Sequence, residues 1–226
     1  REIGRMFLGI DVQCAQCHNH PLIDDYHQSD YFGLFAFVGQ STVFQPDPKQ
    51  PALIAETVKG QSEFKSVFTS REAVTMPRLP DEVEIVEPVF AVGDEYQIRP
   101  AKNVRSLPKF SRREKLADLV SSGDNPLFRR NIANRLWALM MGRGLVHPVD
   151  HHHSENPATN PEILELLGNE FAQSSYDIST LLREIALSTT YQRSWQLPAD
   201  LAPAADAAPQ KLAQLNAAVT TADGQL

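Results

Sequence analysis

The chain has 226 residues, 42% of them apolar, and a formal net charge of -7. That length buries one or two hydrophobic cores without disulfides, and an acidic chain with no Lys/Arg stripe excludes a nucleic-acid surface built on basic clusters. It contains no run of about 18 apolar residues and no charged leader followed by an apolar stretch, so neither a membrane span nor a signal peptide is visible.

Residues Glu2 to Cys17 read as one helix with Ile3, Met6, Phe7 and Ile10 on a single face. The chain starts at Arg1 inside that helix, as a piece of a longer protein would. The helix delivers Cys14-Ala15-Gln16-Cys17-His18, which holds both cysteines of the chain. This spacing is the one used for covalent haem attachment, where two thiols add to the haem vinyl groups and the adjacent imidazole binds iron. On helical backbone Cys14 and Cys17 are i,i+3 and Cys14 and His18 are i,i+4, so all three face one cofactor. The same pair also serves as a redox disulfide, as half of a zinc site, or as two packed thiols. The helical lead-in speaks against a thioredoxin-like pair, which follows a strand. Asn19-His20-Pro21 ends the helix, and proline holds His20 in an extended turn directed away from His18.

Asp30 to Val38 predicts a short buried helix capped by Asp30 and ended by Gly39. From residue 41 to 110 the chain is rich in proline, with alternating runs at Phe64-Lys65-Ser66-Val67-Phe68 and Val83-Glu84-Ile85-Val86, and it reads as a β- and loop-rich connecting region. Met76, before Pro77, is ordinary packing.

Helices return at Ser111-Arg112-Arg113-Glu114, a capping box ahead of Leu116, Leu119 and Val120. Asn125-Pro126 starts a longer helix through Phe128, Ile132, Ala133, Leu136, Trp137 and Met140 to Gly142. Asn160-Pro161 starts another along Ile163, Leu166, Leu167 and Phe171, and Asp177 caps a last one along Ile178, Leu181, Leu182 and Ile185. These last three are expected to pack as a small bundle. The fold class is therefore mainly α: helical bundle segments, a small β/loop-rich insert in the middle, and a disordered, Ala/Pro-rich C-terminal tail. The expected division is 1–40, 41–110, 111–197 and 198–226.

Two blocks carry a resemblance. The first runs from Phe7-Leu8-Gly9 through Cys14-Ala15-Gln16-Cys17-His18-Asn19-His20-Pro21 to Tyr31-Phe32-Gly33. The second runs from Asn134-Arg135-Leu136-Trp137 through Gly142-Arg143-Gly144-Leu145-Val146, Pro148-Val149-Asp150, Asn156-Pro157 and Pro161-Glu162 to Ser188-Thr189-Thr190-Tyr191-Gln192. Together they resemble the planctomycete secreted proteins that join a cytochrome-c-like domain of the second type to a companion C-terminal domain. The resemblance implies a longer, exported parent protein in a periplasmic or extracellular setting. It also implies haem attachment at Cys14 and Cys17 with His18 as proximal ligand, and partners among redox proteins or the parent's other domains. It brings no established activity. Similar sequences often carry histidines near Leu139 and Met140 and at the place of Asn160; here those imidazoles are absent.

The cofactor is thus haem c, with zinc or another transition metal, or no cofactor, as alternatives. For the far side of a haem, Met140 is the candidate distal ligand, although its helical spacing also suits core packing. For a metal without haem, the candidate ligands are Cys14, Cys17, His18 and His20, joined by His147 and His151 at HxxxH spacing. His152 and His153 complete a histidine run that is also compatible with a solvated loop. His27, beside Asp24 and Asp25, reads as an exposed polar turn. Asp24, Asp25 and Asp150 cap and pair more readily than they catalyse, and Arg143 between glycines suits an anion or a salt bridge. No GxSxG, P-loop or dinucleotide fingerprint is present, so enzymatic activity has no support in the sequence.

Overall fold

The amino-terminal segment is not one helix. A short helical stretch ends in a π-helical turn, Gly4–Leu8, and Gly9 then takes a left-handed conformation with φ 72°. A side chain at Gly9 would place its Cβ 2.7 Å from His152 Cδ2 and 2.8 Å from Asn131 Oδ1. Glycine is therefore required both by the backbone angle and by close approach. After the break Ile10 and Val12 point inward with Leu8, all three buried, and the chain closes into a 3-10 turn, Cys14–Gln16. A single helix through Cys17 would have carried part of this apolar set away from the core. The computed structural model describes residues 1–58, 60–122, 125–193 and 202–223.

Helix α1, Gln28–Val38, is capped by His27 rather than Asp30. Asp30 sits at the third helical position, where its carboxylate accepts the His27 backbone N–H at 2.9 Å. The helix ends at Gly39, as the sequence suggests.

The connecting region holds three two-stranded antiparallel hairpins: β1 Ser41–Phe44 with β2 Leu53–Glu56, β3 Ser62–Lys65 with β4 Glu72–Thr75, and β5 Tyr96–Ile98 with β6 Leu107–Pro108. The first alternating run is strand only to Lys65, and Val67 and Phe68 lie exposed in the β3–β4 turn. The second run, Val83 to Val86, is not a strand. Glu84 is held by the Thr75 hydroxyl and the Met76 N–H, Ile85 N–H donates to Pro77 at 2.8 Å, and the two valines stay in solvent. The alternation is real, but no neighbouring chain offers it a ladder.

The four later helices start where local cap chemistry says. Helix α2, Arg112–Ser121, has the Ser111 hydroxyl accepting the Glu114 N–H; α3, Pro126–Met141, and α4, Pro161–Gln173, begin at Asn125 and Asn160 with proline in the first turn; α5 is Ile178–Leu187. The Asp177 carboxylate accepts the N–H groups of Ser179 and Thr180 at the start of α5.

Phe171 of α4 and Leu181 and Ile185 of α5 bury against Ala133, Trp137 and Met140 of α3, which is the expected bundle. Helix α2 packs instead with α1 and the amino-terminal turn, where Leu116 and Val120 join Leu8, Ile10, Leu34 and Phe37 in one core. Residues Arg1–Ile185 form one compact unit and Ala186–Leu226 a second. Within the expected tail, 198–201 and 224–226 lie outside the described residues. Ala202–Asp223 is a helix, α6, whose side chains over 207–217 are exposed, in keeping with how little that composition has to bury.

Candidate functional site

The CxxCH turn is anchored by its least conspicuous residue. Ala15 is fully buried, whereas Cys14 and Cys17 are exposed free thiols. The Cys17 N–H donates to Cys14 O at 3.3 Å, closing a 3-10 turn. Three residues per turn put the two cysteines on one face, so the displayed pair survives the loss of the expected α-helix.

His18 follows outside the turn. Its Nδ1 lies 2.6 Å from the Asn19 carbonyl oxygen, an acceptor that fixes the proton on Nδ1 and leaves Nε2 with its lone pair free. The tip of the β3–β4 hairpin leans on it: Val67 N–H donates to Cys17 O at 3.0 Å, and the Phe68 ring lies 4.5 Å from the His18 ring. Beside His18 opens a cleft of about 520 Å3, walled by Phe64, Phe68 and Ala73, with Arg71 and His27 also on its lining. Phe64 is held by stacking on Phe32 of α1, 4.8 Å between centroids.

His20 has the opposite chemistry. Its Nδ1 accepts the N–H groups of Leu22 and Ile23 at 3.2 and 3.0 Å, so in the neutral ring the proton sits on Nε2. It organises the turn after Pro21 and packs edge-on against Tyr26. Its Nδ1 is thereby occupied, and its Nε2 is a donor.

The histidine loop of the second block docks on the first. His152 N–H donates to Gly9 O at 2.9 Å, Tyr26 OH donates to His152 O at 2.9 Å, and Asp25 accepts the Ser154 N–H and hydroxyl at 2.5 and 2.7 Å. Arg5 pairs with Asp150 at 2.8 Å, and Arg135 donates to Arg5 O at 2.6 Å. Asn131 donates to Met6 O at 2.8 Å. Asn134, fully buried, binds both backbone groups of Val146, donating at 2.9 Å and accepting at 3.0 Å, and its amide nitrogen lies 3.4 Å from His152 Nε2.

Burial, then the charges of Arg135 and Arg130, push the His152 imidazole down to about 4, so it is neutral near pH 7. His153, edge-on to Tyr26, is pushed down by burial and by His151. Burial raises the Asp25 and Asp150 carboxyls, but their bonds to Ser154 and to Arg5 outweigh it and hold both below the usual carboxylate range.

His147 is exposed, and His151 is half-buried with Nε2 4.0 Å from Asp150 Oδ1. Met140 packs in the α3–α4–α5 core and does not line the cleft beside His18. Arg143 is exposed. Asp24 and Asp25 border a second cavity of about 580 Å3, which Ile10, Arg78 and His152 also line. No group of three or more His, Cys, Asp and Glu side chains is arranged to hold a metal ion among the described residues. None of their helices is long and apolar enough to cross a membrane. The sequence reading missed His27 and Phe68 as neighbours of His18. The Phe64 to Phe68 run was the one signal, and only the hairpin fold brings it there.

Fold and site together define a mainly helical protein in which a second helical block clamps the segments on either side of an exposed CxxCH turn. Residues 1–43 match the PSCyt2 model, a protein of unknown function (DUF1549), and residues 112–223 match PSD1, a protein of unknown function (DUF1553). The chain thus belongs to the planctomycete proteins that carry a cytochrome-c-like domain and its companion C-terminal domain. No curated protein and no solved structure matches it.

Proposed function

We propose that the CxxCH turn is the attachment site of a c-type haem, and that the chain is the electron-carrying part of a larger exported protein. The observation that carries this reading is His18. Its Nδ1 is held by a backbone carbonyl and its Nε2 keeps a free lone pair; it follows two exposed thiols in the chain and lines an open cleft of about 520 Å3 that neither thiol lines. A carbonyl on the non-ligating nitrogen is the usual outer support of a metal-bound imidazole, because it fixes tautomer and ring orientation. The cleft volume falls in the range of cofactor sites, and its aromatic walls suit a flat apolar ring system.

When bound, the haem supplies a one-electron iron couple. Cys14 and Cys17 would hold the haem, each thiol adding across a vinyl C=C bond so that one C–S bond forms and the thiol hydrogen ends on the other vinyl carbon, with no oxidant consumed. His18 would hold the iron through Nε2, and its Nδ1–H bond to the Asn19 carbonyl would orient the ring for it. Phe64 and Phe68 would offer apolar surface to the ring, and Arg71 would offer a cation to a propionate. The setting implied is periplasmic or extracellular.

The test is expression of the full chain with a haem-maturation system, followed by denaturing electrophoresis with haem staining and a pyridine haemochrome spectrum. One covalent haem per chain, lost in Cys14→Ser and Cys17→Ser, is expected. A chain that stays colourless defeats the reading, and one zinc per chain lost in Cys17→Ser would replace haem by a metal site.

A further inference from the structure

We propose that Cys14 and Cys17, in the chain that carries no haem, form a two-coordinate site for copper(I), with the ion held between the two sulfur atoms alone. This does not rest on the haem reading: it concerns the same thiols before any haem is attached, and either reading can fail without the other.

The turn supplies the geometry. Cys14–Gln16 is a 3-10 turn, closed by the Cys17 N–H donating to Cys14 O at 3.3 Å. Residues i and i+3 of such a turn lie one above the other, about 6 Å apart along the axis, so both side chains leave the backbone on one side and reach a common ion. Both thiols are free and exposed, so neither sulfur gives up packing to turn toward a metal. The backbone beneath them is fixed, because Ala15 is fully buried and the Val67 N–H donates to Cys17 O at 3.0 Å.

The surroundings select the metal. Zinc takes four ligands in a structural site and at least three from the protein in a catalytic one. Among the described residues no group of three or more His, Cys, Asp and Glu side chains is arranged to hold an ion. His18 lines a cleft that neither cysteine lines, and His20 Nδ1 is occupied by two backbone N–H groups. Copper(I) is soft, prefers thiolates, and is satisfied by two of them in a line. A pair of thiols without a third donor is thus a complete site for copper(I) and an incomplete one for zinc. Each thiol gives up its proton to solvent as its sulfur binds, and no electron is transferred.

The experiment uses the full chain expressed without haem maturation, kept reduced by a phosphine under argon, and titrates copper(I) in competition with bathocuproine disulfonate. The chain should withdraw one copper(I) from the chelator, and X-ray absorption should show two sulfur neighbours and no nitrogen. Cys14→Ser and Cys17→Ser should each lose that withdrawal, with circular dichroism unchanged. Alkylating both thiols of the folded parent chain with iodoacetamide should lose it equally, which separates a missing ligand from a missing fold. Copper left with the chelator overturns the site, as does copper retained by the double serine variant. A nitrogen neighbour, from His18 or elsewhere, overturns it too, as does a copper ion that joins two chains in size-exclusion chromatography. So does zinc held at one per chain against an equal amount of copper(I). Haem staining of the matured chain is read separately, so a failed copper site leaves the haem reading standing.

Discussion

The turn with Cys14, Cys17 and His18 and the loop with His151, His152 and His153 are equally dense in ligating side chains, yet they do opposite work. In the turn, only Ala15 is committed to the core, and both thiols and one imidazole nitrogen are left over. In the loop, His152 gives its N–H to Gly9 and its carbonyl to Tyr26, and its ring is buried and neutral. A histidine is available for chemistry when its environment spares one nitrogen. It is structural when burial and neighbours use both the ring and its backbone.

The sharpest break of this contrast is the double change Cys14→Ser and Cys17→Ser. Covalent haem should vanish entirely, while stability moves by no more than about 0.5 kcal/mol, because exposed side chains away from packing and caps contribute little. Staining and thermal melting check the two halves together. A large loss of stability would show that the thiols are packing after all.

On the structural side, Asn134→Ala strips both partners from buried Val146. Each unpaired backbone group costs about 1–3 kcal/mol, giving a loss near 4 kcal/mol, read by chemical denaturation. Gly9→Ala should be comparably damaging, since it combines a left-handed φ with a Cβ 2.7 Å from His152. Together these test how far the loop after α3 and its docking at Gly9 stabilise the fold.

The starts of α2 to α5 were legible in the sequence because cap chemistry is local: Ser111, Asn125, Asn160 and Asp177 act on backbone N–H groups within three residues of themselves. The break at Gly9 was not, since its cause lies in Asn131 and His152, far along the chain. Val83 to Val86 misled for a related reason: alternation marks a strand only where a partner strand exists, and here Glu84 and Glu87 are spent on Thr75 and Arg112. The cysteines and His18 could be picked out as chemistry from spacing alone. The sequence could not tell His18 from His20, because the two differ in which ring nitrogen a nearby backbone group engages. Nor could it place His27 on the same cleft, a consequence of α1 and the β3–β4 hairpin packing around it.

Acid should weaken the clamp before it touches the turn. The His152 pKa falls from 6.5 in the unfolded chain to about 4 in the folded one. Between those values the unfolded state binds the extra proton, so stability is full above pH 6.5 and falls as pH drops toward 4, by on the order of 3 kcal/mol in all. Asp25 and Asp150, whose carboxyls are held low, lose their contributions below the usual carboxylate range, at more acid pH. Urea midpoints measured from pH 7 to 4 check this, and His152→Gln should flatten the slope in that window while leaving the fall below pH 4.

The smallest expected effect separates shielding from support. Phe68 is 75% exposed and touches His18 from the hairpin tip, so it contributes little burial. Phe68→Ala should change stability by no more than about 0.5 kcal/mol. It should nevertheless speed modification of the His18 ring by diethyl pyrocarbonate, since the two rings lie 4.5 Å apart. Modification rates of the parent protein and of Phe68→Ala decide it. An unchanged rate would mean that the hairpin tip fixes the backbone at Cys17, through Val67, and does not shield His18.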